Sequence, residues 1–456
     1  MRDLILTAVF MGILPFSAVR PWVGVLLWSW IGYMNPHRLT WGFATEVPWA
    51  LVAGVVTLIG IPFARDRKPI PWVRETYLLA ALWVMFTITT VFSLYPEEAW
   101  PQWERVSKIL LFVFITMKFF QDRDRLRYLF ILIAFSIGFY GVKGFVFSIM
   151  TGGQHLVYGP MRSFLSSNNS VGLAINMILP FLYMLRRDEP RRWLRLVMIG
   201  SFWASAGAII FTYSRGAFLG LAVVMTLLFL RGSKRLVAGG VGFVVVAIFF
   251  LTIGASLIPE AWWARMGTIS TYQEDRSAMG RLEAWRIAYE LALDRPLIGG
   301  GFWVLPHEEI RELYGAEGAV ISAHSIYFAI LGDHGFVALG LYVGLLASCL
   351  LSLRRLRRTV GLTPEGAWVV NPAKMLEISL VAYMICGAFQ TEAYFDLFYH
   401  LVAAVVMLKV LATRPEPVAA SEPAPSAIAV PVAAAPLVGR RRPLPGTRLS
   451  GGEASR

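Results

Sequence analysis

The strongest constraint on this chain is a set of long runs almost without charge. Residues 75–94 and 235–257 each continue for about twenty residues with almost no internal charge, enough to cross a hydrocarbon core of roughly 30 Å as a helix. Peptide groups in lipid must find their hydrogen bonds within the segment that carries them. Repeated runs of this kind therefore predict an all-α fold, a polytopic membrane helical bundle. The composition agrees, since 57% of the 456 residues are hydrophobic. The first run lacks both a long basic leader and a small-residue cleavage site, and is expected to be retained.

A net charge of +13 would suggest nucleic acid in a soluble protein. Here the cations lie in short loops between spans, so membrane topology explains them and no nucleic-acid partner is expected. Arg65, Arg67, Lys68 and Arg74 form one cluster, and Lys118, Arg123, Arg125 and Arg127 the next. Arg186, Arg187, Arg191, Arg192 and Arg195 follow, then Arg231, Lys234 and Arg235, then Arg354, Arg355, Arg357 and Arg358. They alternate with loops poor in Lys and Arg at 95–104, 150–170, 214–216, 258–323 and 391–395. The positive-inside rule places the clusters in the cytoplasm and the other loops outside.

Spans are expected at 48–64, 75–94, 105–120, 128–150, 171–185, 193–213, 216–231, 235–257, 325–353, 374–391 and 395–412. Residues 3–34, interrupted by Arg20-Pro21, read as a broken helix or as a pair of shallow ones. The expectation is about 12 transmembrane helices with both termini inside, or 13 if that stretch crosses twice. The chain divides into an N-terminal transmembrane bundle (1–257), one large external loop (258–323), C-terminal transmembrane helices (324–413) and a cytoplasmic tail (414–456). The tail is rich in Pro and Ala and reads as disordered. The loop contains a helix-like segment, 277–294, with Ser277 as a candidate N-cap and apolar residues at Leu282, Trp285, Ala288 and Ala292. An ordered external loop of this size implies work at the outer membrane boundary. Cys349 and Cys386 fall inside spans and suggest neither disulfide nor metal spacing.

Three residues at that boundary carry possible chemistry. Arg215, in a tight turn between two spans, is either a snorkelling side chain or an anion ligand, since a guanidinium fork matches phosphate oxygens. Arg281, placed in the first turn of the loop helix, is either a solvated arginine or part of an anion site with the free N–H groups of the helix end. His324 is either a helix-start histidine satisfied by a backbone carbonyl or a general base, because imidazole titrates near neutrality. His334 lies about 15 Å farther along a continuous helix and on another face. It reads as a packing or hydrogen-bonding residue, paired with Asp333, or as the start of a proton path. Asn168 and Asn169 precede a span and read as a helix cap. No metal-binding pattern is present, so no metal or cofactor is expected.

His324-Ser325, nine residues and then Gly335 resembles the His-[Asn/Ser/Gln]-x9-Gly-x-x-Gly pattern of bacterial O-antigen ligases. The superfamily also includes O-antigen polymerases and protein O-oligosaccharyltransferases. Ser214-Arg215-Gly216 resembles the family's Ser-Arg-Gly turn, and Gly280-Arg281 through Trp285 to Gly299 resembles the segment before the catalytic span. Residues 20–44 resemble the N-terminus of O-glycosylation ligases linked to exosortase systems. One position departs from the pattern: its last Gly falls at Ala338. The resemblance implies a metal-independent inverting glycosyltransferase in the bacterial inner membrane with its site facing the periplasm. The donor is then a glycan on undecaprenyl pyrophosphate, and for ligases the acceptor is a sugar hydroxyl of lipid A–core. His324 is the implied base, and Arg215 and Arg281 the implied pyrophosphate ligands. The pattern of residues alone also fits a transporter of lipid-linked sugars, whose polar path would use Lys143, Asp333, Glu377 and Glu392.

Overall fold

Every regular element among the described residues is helical. A computed structural model describes residues 1–66, 68–231, 276–315 and 322–413. The expected span at 235–257, the rest of the external loop and the 414–456 tail lie outside them. The main helices are α1 (Arg2–Val19), α2 (Pro21–Met34), α3 (Trp49–Gly60), α4 (Arg74–Val91), α5 (Pro96–Phe119), α6 (Arg123–Met150) and α7 (Asn168–Asp188). They continue as α8 (Arg192–Ile210), α9 (Arg215–Arg231), α10 (Arg276–Asp294), α11 (Glu308–Leu313), α12 (Ile326–Arg358), α13 (Val370–Gly387) and α14 (Asp396–Thr413). Among the described residues, seven helical segments are long and apolar enough to cross a membrane, by length and composition. Shorter apolar helices at Trp49–Phe63 and Arg215–Leu230 accompany them. α7 and α14 are the most enclosed, with 83% and 78% of their apolar windows buried, so the core is built around this pair.

Local chemistry sets several boundaries differently from the sequence expectation. Residues 96–104, expected as loop, are the first turns of α5, because Pro96 fits the first helical position and Glu97 and Glu98 face the positive helix end. Ser167 caps α7 by accepting from the Ser170 N–H at 3.0 Å, which leaves Asn168 inside the helix rather than at its cap. α10 already includes Arg276, so Ser277 is not its N-cap.

Residues 3–34 form a pair of antiparallel helices. Only Arg20 separates α1 from α2, and Leu6 and Phe10 pack with Leu27 and Ile31. The Asp3 carboxylate accepts from the Gly42 and Ala44 N–H groups, each at 3.1 Å. At the other end of α1, Ala18 meets Gly60, and the chain beyond reaches the Asp66–Arg125 ion pair at 2.6 Å. That second end also holds buried Glu75, bound to Ser348 at 2.6 Å, Ser352 at 2.7 Å and Lys409 at 3.1 Å. Met1 and Thr413 thus stand at opposite ends of the bundle. Glu377, also buried, meets Arg354 at 3.0 Å and Arg357 at 2.7 Å, so basic residues near the C-terminal end of α12 tie it to α13.

α12 is not continuous, contrary to the geometry assumed for His334. Gly335 has φ +77° and ψ −174° and splits it. The break leaves the Gly332 and Asp333 carbonyls without helical donors, and the segment 296–305, which follows α10, supplies them. Gly300 N–H donates to Gly332 O at 2.9 Å, Gly301 N–H to Asp333 O at 2.8 Å, and Phe336 N–H to Pro296 O at 2.9 Å. A Cβ at Gly335 would stand 2.6 Å from Pro296 O, so the conformation and the close approach both require glycine. Ala338, where the family pattern has its last Gly, is fully buried.

Candidate functional site

His324 sits between two buried residues, Ala323 and Ser325, at the start of α12. Its backbone is left-handed, with φ +45°, a conformation rare for a side chain of this size and often held at functional sites. The surroundings hold it there from two directions. Trp285 on α10 donates its indole N–H to Ala323 O at 2.8 Å, and the Trp285 ring stacks on Phe328 of α12 at 5.0 Å. On the other side Ser322 Oγ lies 3.0 Å from Thr391 Oγ1. Among the described residues no backbone carbonyl takes a ring N–H of His324, so the helix-start bond expected of a structural histidine is not formed there.

Arg281 lies on the same helix as Trp285, one turn before it, and is half-buried. It occupies the second turn of α10, not the first as its spacing suggested, because the helix starts at Arg276 or earlier. The free N–H groups of the helix end therefore do not accompany it. Its charge does reach His324: burial, and after it the Arg281 guanidinium, hold the imidazole below its ordinary pKa of 6.5. His324 is consequently neutral at neutral pH and able to accept a proton. The nearby Arg286 is committed elsewhere, to Glu283 at 2.6 Å, Glu290 at 2.8 Å and the Tyr314 carbonyl at 2.7 Å.

Arg215 is the first residue of α9 and half-buried, so the coupling of a guanidinium to a helix N-terminus occurs here. Ser214 Oγ accepts from the Ala217 N–H at 3.3 Å, capping the helix. The preceding Tyr213 is left-handed, with φ +55°, and its hydroxyl donates to Gly153 O at 2.7 Å. Asn168 donates to Thr212 O at 2.8 Å, fixing the turn to α7. Gly216 lies against Phe389, close in sequence to Thr391. The structure thus places the Arg281 charge within electrostatic reach of His324 and joins Arg215 to the same end through the 389–391 turn, without a direct contact between Arg215 and His324.

His334 belongs to a separate buried network. Its Nδ1 lies 2.6 Å from Thr89 Oγ1 and its Nε2 2.9 Å from the Tyr394 hydroxyl, which donates to Asp333 Oδ2 at 2.7 Å. It ties α4, α12 and the start of α14, in keeping with a packing role. The clamps that hold the site are not legible in the sequence: Trp285 stands out there as an apolar and motif position, Asn168 as a helix cap, and Ser322 and Thr391 carry no signal, since the partners of all four are remote in the chain.

No curated protein matches the chain at a significant level. Residues 1–182 match a family of unknown function. Residues 200–343 match the O-antigen ligase family, and this stretch holds Arg215, Arg281, His324 and the Gly335 break. Over residues 200–343, and there alone, the chain is thus similar to the O-antigen ligase family.

Proposed function

We propose that the protein is an O-antigen ligase in the strict sense, a multi-pass inner-membrane glycosyltransferase with its site facing the periplasm. The acceptor is a sugar hydroxyl of lipid A–core, and the donor a glycan on undecaprenyl pyrophosphate. The hydroxyl oxygen attacks the anomeric carbon from the face opposite the leaving group and inverts it. His324 takes the hydroxyl proton as the new bond forms. The bond to the pyrophosphate oxygen breaks with its electron pair, and Arg215 and Arg281 stabilise the charge that develops on the departing undecaprenyl pyrophosphate. The observation that carries this reading is the neutral, half-buried imidazole of His324 set beside the Arg281 cation. A proton acceptor within reach of an anion ligand would supply the two functions the transfer needs, and this supports the reading.

Orientation follows from the basic clusters. With Asp66, Arg125 and Lys409 at the cytoplasmic end, the α1–α2 pair crosses twice, Met1 lies outside, and the 235–257 run completes thirteen passes. The division into a bundle (1–257), a periplasmic loop (258–323), C-terminal spans (324–413) and a tail is retained in this scheme. A transporter reading is disfavoured because three of its four candidate polar residues are engaged in packing contacts. Glu377 is held by arginines, Asp333 by Tyr394, and Glu392 by Ser170.

Purified protein would be incubated with an undecaprenyl-pyrophosphate glycan and, in separate reactions, lipid A–core, a second lipid-linked glycan or a protein acceptor. Transfer to lipid A–core that falls about 10²–10⁴-fold in His324→Ala is the expected outcome. Transfer confined to the other acceptors would make the protein a polymerase or a protein O-oligosaccharyltransferase. Undiminished activity in the variant would remove His324 from the chemistry, and no transfer to any acceptor would favour transport.

A further inference from the structure

Arg105 stands on α5, about 2.5 turns in from Pro96, and is exposed on the surface of the bundle. The guanidinium lies over Phe164, with its central carbon 3.9 Å from the ring centroid. Phe164 in turn packs on Phe395 at 5.7 Å. Stacking occupies one face of the guanidinium and leaves its in-plane N–H groups uncovered by the ring. None of them has a hydrogen-bond partner among the described residues. The nearest carboxylate does not consume the charge either. Asp396 is close enough to feel it but forms no ion pair with it, and the buried Asp396 Oδ1 has no hydrogen-bond partner.

An exposed arginine at this position is costly unless an anion satisfies it. The expected span begins here, so the surrounding surface is membrane and the anion available at this depth is a lipid phosphate. A guanidinium held over an aromatic ring is prepared for two parallel N–H···O bonds to a phosphate group. The location adds a route. Phe164 belongs to the loop that leads into Ser167 and Asn168, and Asn168 ties to the Thr212 turn that carries Arg215.

We propose that Arg105, stacked on Phe164, is a second phosphate-binding site, open to the membrane, that takes the phosphate group of a membrane lipid. It is separate from the Arg215–Arg281 site and does not depend on the transfer chemistry. Two lipids offer this chemistry: a polyisoprenyl phosphate approaching the site and a bulk glycerophospholipid.

The test is lipid retention by the full chain in a non-ionic detergent, read by native mass spectrometry with undecaprenyl phosphate or phosphatidylglycerol added. Arg105→Gln is expected to reduce retention of at least one of them about tenfold, as for loss of charge-assisted hydrogen bonds. Phe164→Ala, which keeps the cation but removes its platform, is expected to reduce it roughly threefold. Loss for undecaprenyl phosphate alone identifies a substrate route, and loss that includes phosphatidylglycerol identifies a headgroup site; both support the proposal. Unchanged retention of both lipids in Arg105→Gln overturns it, whether or not the variant's melting temperature falls. Arg215→Gln, run in parallel, reports on the main site, so either site can fail without the other.

Discussion

At the residue scale, the decisive property is the charge state of His324. Burial and the Arg281 cation both disfavour the imidazolium, so the pKa lies below 6.5. The protonated form, which in the proposed mechanism cannot take the hydroxyl proton, gains only as pH falls through that lowered value. The acid limb of kcat/KM, which reports the free enzyme, is therefore expected below pH 6.5. Arg281→Gln removes one of the two causes and should move the limb upward as well as weaken donor binding. Rate profiles of both proteins from acid to neutral pH check this. A limb at the same pH in the variant would mean that the Arg281 charge does not act on His324. The three candidate residues were legible from short motifs because each is an unusual polar residue at a span boundary. The low pKa was not, because its second cause comes from a helix more than forty positions away in sequence.

At the scale of elements, the broken helix and its strap form one unit. Gly335→Ala forces a left-handed conformation on a residue with a Cβ and drives that Cβ against Pro296 O. We expect a loss of about 1–3 kcal/mol, visible as a lower melting temperature in detergent, whereas His324→Ala should melt close to wild type. Equal melting of Gly335→Ala and wild type would show that the strap is not fixed at this point. Trp285→Phe keeps the ring on Phe328 but loses the indole donor to Ala323 O. Its expected signature is a roughly fivefold lower kcat with unchanged donor binding, measured in the transfer assay. An unchanged kcat would mean that the clamp does not position His324. The existence of α12 was legible from its apolar run. Its break was not, because a Gly inside a membrane helix is common and only the partner segment 296–301 shows what this one does.

At the scale of the whole molecule, the α1–α2 pair puts Met1 and Thr413 at opposite ends of the bundle, and the proposed orientation of the loops is open to a direct test. Cys349 and Cys386 are buried, so an introduced cysteine can be read by a membrane-impermeant maleimide against a low background. Glu46→Cys, at the Asp3 end, should react in intact spheroplasts. Arg187→Cys, in a basic cluster, should react only after permeabilisation. Reaction of both from outside would contradict the pass count, and the reverse pattern would invert the orientation.

The sequence by itself determined the helical class, the rough limits of many helices, the alternation of basic clusters with loops poor in Lys and Arg, and which residues are candidates for the site. These depend on local quantities: runs of apolar side chains, charge per loop and short motifs. Tertiary structure alone decided that residues 3–34 make an antiparallel pair, that α12 breaks at Gly335, that Arg281 rather than Arg286 reaches His324, and that Arg105 lies exposed on Phe164. Each of these is a meeting of residues far apart in the chain. No local periodicity encodes such meetings, because they are set by which helix faces pack together and where the strands of loop between them are caught.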